Sequence, residues 1–294
     1  MSHLFYCNLQ WLAFNITIMN VQTILRHLAL LLILLAAARP AAGRELVFST
    51  HPFANPATIY QTFQPLIDYL ARETGTTIAI KIAPSYLAHV AAVGSGKADL
   101  AFVGPSPYVR IKDKFGGIEL LARFKMRDNS NDQVVIVCLE AAPLASLADL
   151  KGKTFAFGDH QSFGSHYLPR WLLAAEGVPV RELAAYDFVK SHDNVILSVL
   201  HGDFDAGGVR LDVFRRYADR PLRILAGPFP TPPHALVGRA DLDRELMDKL
   251  RRSLLGLRDR AVLERLDPEM LEFTAVTDSD FDQARTVINF VEER

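Results

Sequence analysis

Between an apolar strand and an apolar helix, residues 157–178 read "FGDHQSFGSHYLPRWLLAAEGV". Pro169 has no N–H to pair with the Ser165 carbonyl, so the regular helix begins close to it. That spacing leaves the amides of about residues 163–167 without carbonyl partners inside the helix. Free amides at the positive end of a helix dipole bind anions. Gly164 lets a ligand approach the backbone, while Ser162 and Ser165 add hydroxyl donors beside Phe163 and His166. The plainer alternative is that Ser162 or Ser165 only caps the helix.

A second cluster is "KSHDNVILSVLHGDFDAGGV". His192 stands where a strand gives way to a helix, placed to donate to an oxyanion. Asp193 reads as the cap of that helix. Asp205, at a strand start, either orients His192, binds a ligand amine, or makes a surface ion pair. Upstream, Tyr86 follows "TIAIKIA", and Ser106 and Tyr108 follow "ADLAFVG". A tyrosine there offers a hydroxyl or fills the core. Ser106 near a helix start is another anion cradle, and His51, Asn55 and Thr58 in "THPFANPATIY" are weaker candidates.

These loops need strands to hold them. Strand and helix patterns alternate from "ELVFST" to a closing helix over 279–292, which implies α/β architecture with mainly parallel sheets and helices on both faces. Two segments, 125–133 and the Pro-rich 227–235, read as crossings between lobes. The expected division is 44–130 plus 232–294 for one lobe and 131–231 for the other. Open α/β sheets gather ligands at the carboxyl ends of their strands. In a two-lobed clamp that places the ligand in the interlobe cleft.

"LALLLILLAAA" (28–38) is too short to span a bilayer and fits the core of a secretory leader. Ala41-Ala42-Gly43 offers a cleavage site, so 1–43 reads as a signal peptide and the protein as exported to the periplasm. Residues 1–18 are aromatic-rich without Lys or Arg, and Met19 makes a more conventional start; 1–18 reads as a start-site artefact. Without 1–43 the chain holds 30 basic against 33 acidic residues. It has no basic stripe, so nucleic acid is not an expected partner. Cys138 alone remains beyond the leader, inside the strand "QVVIVCLE", too little for a disulfide or a metal site.

The runs "LADLKGKTFAFGDHQSFGSHYLPRWLLAAEG", "SHDNVILSVLHGDFDAGGV" and "YLAHVAAVGSGKADLAFVGPSPYV" resemble the phosphate/phosphite/phosphonate-binding family of periplasmic ABC-transporter substrate-binding proteins. The likeness extends to the closing "DPEMLEFTAVTDSDFD". It implies a type II periplasmic-binding fold, with lobes closing on a small oxyanion for a membrane permease. Family binding positions fall on Tyr86, Ser162 and His192. Where the family has Ser-Thr-Ser-Gly, this chain has Ser162-Phe163-Gly164-Ser165, and a second binding tyrosine of some members falls at Val103, near Tyr108. The expected protein is a monomeric carrier that needs no metal or cofactor. One alternative partner is a membrane sensor kinase. Another reading is a hydrolase built on Ser162, His166 and Asp205.

Overall fold

The computed structural model describes Arg26, residues 45–128 and residues 132–293. The expected leader lies, Arg26 apart, outside the described residues. The chain divides into units Met1–Arg44 and Glu45–Arg294, and both sheets belong to the second.

In chain order the second unit builds β1 (Leu46–Thr50), α1 (Pro56–Thr74), β2 (Ile78–Ile82), α2 (Tyr86–Gly94), β3 (Leu100–Val103), α3 (Pro105–Phe115) and β4 (Ile118–Met126). It continues with β5 (Gln133–Leu139), β6 (Thr154–Phe157), a π-turn (Phe163–Tyr167), α4 (Leu168–Ala175), β7 (Ala185–Phe188), α5 (His192–Leu200), β8 (Ala206–Arg210), α6 (Leu211–Arg215) and β9 (Leu222–Pro230). It closes with β10 (Ala235–Arg239), α7 (Arg244–Gly256), α8 (Arg260–Leu266), β11 (Met270–Thr274) and α9 (Asp282–Glu292).

Two sheets result, ordered β11-β4-β10-β3-β1-β2 and β7-β6-β8-β5-β9. The first belongs to one lobe, the second to the other. Both are mixed rather than mainly parallel. Pairs β1–β2, β1–β3, β6–β7 and β6–β8 run parallel, whereas β10 is antiparallel to β3 and β4, β11 to β4, and β5 to β8 and β9. The reason is the interlobe crossing. Strands entered through a helix run toward the cleft, β11 after α8 excepted, but β5 and β10 are entered from the other lobe and run away from it, and β11 shares the direction of β10. The two crossings lie side by side: Gln133 pairs with Pro230, and the Thr231 amide donates to the Asp132 carbonyl at 2.8 Å.

Alternation along β5 divides the second lobe's core. Val134, Ile136 and Cys138 pack with Leu168, Leu172 and Leu173 of α4, while Val135 and Val137 pack with Val195, Ile196 and Val199 of α5. In the first lobe, α1 buries Ile59, Phe63, Leu66, Ile67 and Leu70 against the sheet. Its ends follow local rules, with an Asn55 cap, Pro56 in the first turn and Gly75 in the left-handed conformation after the last. Helix α9 belongs to neither lobe alone. It packs on α3 of the first and on α4 and the π-turn of the second. Arg110 of α3 donates both to the Tyr167 hydroxyl and to Glu292 of α9, and Tyr167 donates to Glu292 at 3.2 Å.

The second lobe brings helices close to its sheet by removing side chains at the contact. A Cβ on Gly208 would lie 2.4 Å from Cγ of Pro169, in the first turn of α4, and one on Gly207 would lie 2.4 Å from Val195 of α5. Pro169 is a rigid ring that cannot swing aside. Gly208→Ala is therefore expected to destabilise the protein by about 1–3 kcal/mol, read as a lowered midpoint in urea denaturation. A variant as stable as the parent would mean that α4 can shift without cost.

Candidate functional site

A cavity of about 490 Å³ lies between the lobes. Its lining comes from where strands meet the cleft: His51 after β1, Tyr86 after β2, Gly104 and Ser106 after β3, Asp159 and Ser162 to Ser165 after β6, Lys190 to His192 after β7, Arg210 and Asp212 at the end of β8. Thr231 and His234 of the second crossing complete the wall. Strand polarity, more than any single motif, gathers these side chains.

The π-turn supplies backbone. The Ser165 amide donates to Ser162 Oγ at 3.2 Å, and the amides of His166 and Tyr167 both reach the Ser162 carbonyl at 3.2 Å. Leu168 bonds back to the Phe163 carbonyl. The sequence leaves five amides open over 163–167; the structure leaves two. Those of Phe163 and Gly164 have no acceptor among the described residues. The difference is the π-turn itself, whose wider ring lets one carbonyl take two amides ahead of Pro169. Ser162 is a cap, as the plainer reading has it, and also lines the cavity with its O–H free to donate. Ser165 Oγ is buried without a partner.

Gly164 is small for a visible reason. A Cβ there would press on Cγ2 of Val134 at 3.0 Å, with Cγ of Arg210 and Cε1 of His192 at contact distance, 3.6 and 3.8 Å away. The Arg210 amide donates to Nδ1 of His192 at 3.2 Å, which makes Nδ1 the acceptor and leaves the proton on Nε2. The Arg210 guanidinium grips Asp212 with two bonds, Nε to Oδ1 at 2.9 Å and Nη2 to Oδ2 at 2.6 Å. Its Nη1 has no partner among the described residues. Arg210 sits deep in the protein yet keeps 28% of its side chain accessible, because it lines the cavity.

Charge here is strongly unequal. Burial opposes the Arg210 cation, but Asp212 more than offsets this and holds its pKa above the usual value. Burial likewise raises Asp212, yet the guanidinium brings it down to about 2. The histidines go the other way. Burial first, then repulsion from Arg210, lowers His192 to about 3 and His234 to about 3. Burial, with His89 next, holds His51 well below the ordinary range. The Arg210 cation thus stands among neutral imidazoles in the cavity wall. His51 and His234 both stack on Phe102, with ring centroids 5.9 and 5.3 Å away and interplanar angles of 13°. Nδ1 of each is buried without a partner. Tyr86 lies against His51 at 4.1 Å, and burial raises its pKa.

Of the residues singled out from sequence, Tyr86, Ser106, Ser162, Phe163, Gly164, Ser165 and His192 line the cavity, as do His51, Asn55 and Thr58. Ser106 Oγ donates to the Gln161 carbonyl, so its contact joins the lobes. Three others are elsewhere. Tyr108 is 1% exposed, packs on Phe281 and donates to Asp278 at 2.6 Å; it fills the core. His166 turns away from the cleft, its Nδ1 at 2.8 Å from the His160 carbonyl and its ring against Phe157, Tyr167 and Phe188. Asp205 accepts from the Thr154 amide at 2.7 Å and its hydroxyl at 2.9 Å, tying β6 to the start of β8. The Ser162–His166–Asp205 array of a hydrolase is therefore not assembled. Asp193 pairs with Arg216 and Tyr217.

Sequence reasoning missed Arg210, Asp212, His234 and Phe102. A signal existed for Arg210, which directly follows the apolar strand "AGGV" at a carboxyl end. His234 was hidden inside a segment that reads as a crossing.

A family model for the periplasmic substrate-binding protein of phosphonate ABC transporters matches residues 48–281. The phosphate-import protein PhnD of Mycolicibacterium smegmatis is 28% identical over 178 residues, 53% of this chain and 52% of that protein. The match thus spans about half the length of that relative. PhnD1 of Prochlorococcus marinus in complex with methylphosphonate superposes with a TM-score of 0.75 at 19% identity, covering 85% of this chain and 99% of that one. A binding-protein component of a phosphonate ABC transporter from Pseudomonas aeruginosa gives 0.72 at 20% identity, covering 83% and 85%. The two structures share this fold, and the family match runs from β1 to the segment before α9: the chain belongs to the periplasmic substrate-binding proteins of phosphonate ABC transporters.

Proposed function

We propose that the protein captures a small oxyanion of the phosphonate, phosphite or phosphate class between its lobes and passes it to a membrane permease. The observation that carries this reading is the cation at the cavity wall. Arg210 has two guanidinium nitrogens committed to Asp212 and one uncommitted, and it lines the cavity together with His192 and with Phe163 and Gly164, whose amides are open. An acid placed there meets donors that are already oriented, so it loses its water without waiting for the protein to rearrange. Tyr86, Ser162 and Ser165 line the same cavity with hydroxyls able to donate. Asp212 keeps the empty site from carrying an uncompensated buried charge.

Removing a charge-assisted bond of this kind costs about 1.5–3 kcal/mol, so Arg210→Gln and His192→Ala are each expected to weaken binding by about 10- to 100-fold. The measurement is isothermal calorimetry against phosphate, phosphite and methylphosphonate. Tyr108→Phe and Asp205→Asn, outside the cavity, should leave affinity alone. Oxyanion binding indifferent to both Arg210→Gln and His192→Ala would place the ligand elsewhere.

The buried neutral histidines also set a pH response of the empty protein. Unfolded histidine titrates near 6.5, whereas burial lowers His89 and His166 to about 4 and His192 and His234 to about 3, with His51 lowered as well. Below pH 6.5 the unfolded chain binds more protons than the folded one, so stability present above 6.5 is lost as pH falls, by roughly 1 kcal/mol per pH unit for each such histidine. Asp132, raised by burial to about 7, opposes this with a single group. The melting temperature is expected to fall steadily from pH 7.5 to 5, and His192→Asn to make the fall shallower. A flat profile would show that these rings titrate in the folded protein as they do in the unfolded chain.

A further inference from the structure

The cavity is larger than a bare oxyanion requires. A five-atom acid displaces a few water volumes of about 30 Å³ each, against about 490 Å³ between the lobes. Much of the remaining wall is apolar. Phe102 lies 6.0 Å from Phe53, 5.2 Å from Phe63 and 5.2 Å from Phe124 between ring centroids, and Met126 and Leu266 line the same space. Phe53 belongs to this aromatic group yet remains 39% exposed at the cavity. Together with Phe102, Phe63, Phe124, Met126 and Leu266 it makes a continuous apolar surface inside the cavity on which an apolar group can lie.

The two walls are joined. His234 stacks on Phe102 and its Nε2 lies 3.2 Å from where a Cβ on Gly104 would be. Arg210, His192 and the π-turn amides form the polar side, and the Phe53–Phe102 group forms the apolar side. A ligand that satisfied only the first would leave the second wet.

We propose that the acid held by this site carries an apolar substituent of about ring size, its oxyanion on Arg210 and His192 and its substituent on Phe53 and Phe102. The inference rests on the oxyanion reading of the cavity and adds the class of acid to it. Hydrophobic burial then rewards the substituted acid over its methyl counterpart, and the gain disappears when the apolar wall is cut back.

The test is calorimetric titration of the purified protein with phosphate, methylphosphonate and phenylphosphonate. Phenylphosphonate is expected to bind at least about tenfold more tightly than methylphosphonate, since a ring adds several buried apolar carbons. In Phe102→Ala, and in Phe53→Ala, which removes a more exposed ring, that ratio is expected to collapse toward one in variants whose melting temperature shows them folded. Methylphosphonate bound as tightly as phenylphosphonate, or more so, would overturn the inference and leave the oxyanion reading standing. A phenyl preference surviving both alanine variants would overturn the placement of the substituent. Binding of none of the three acids would remove the oxyanion reading, and this inference with it.

Discussion

A single buried ion pair organises the cleft. The two bonds from Arg210 to Asp212 allow a guanidinium to remain charged where burial alone would oppose it. Once that cation is fixed, the neighbouring imidazoles must stay neutral, because a second positive charge at this depth would be repelled as well as desolvated. The tautomer of His192 follows from the same residue, since the Arg210 amide occupies Nδ1. The site therefore has a defined charge and defined donors before any ligand arrives.

The scaffold converts this local chemistry into a cleft. Parallel strands end at the cavity, and the strands entered by a crossing begin there, so the lining is drawn from both lobes without long loops. Two adjacent glycines on β8 let α4 and α5 press on opposite faces of one sheet. The same strand ends in Arg210. Close helix packing and the cation of the cavity wall thus share one stretch of five residues.

Much of this was legible in the residues. The order of strands and helices, the two-lobed clamp and the loops bearing Tyr86, Ser162 and His192 follow from periodicity, from Pro and Gly placement and from family likeness. What escaped did so for physical reasons. Open amides over 163–167 are what an ordinary helix start would leave, and the π-turn changes that count. Tyr108 and Asp205 stand at strand ends or starts like true ligands, and only packing shows that one fills the core and the other ties two strands together. Arg210 and Asp212 are two charges among 65 in the sequence. Nothing local distinguishes them; their importance comes from a depth that only the folded chain defines.

Helix α9 rests on both halves of the molecule, and Glu292 near its end meets Arg110 of one and Tyr167 of the other. Tyr167 is also the last residue of the turn that presents the open amides. The carboxyl-terminal segment is consequently a tether at the back of the cleft. Parting of the lobes would have to break this contact or carry α9 along with one of them.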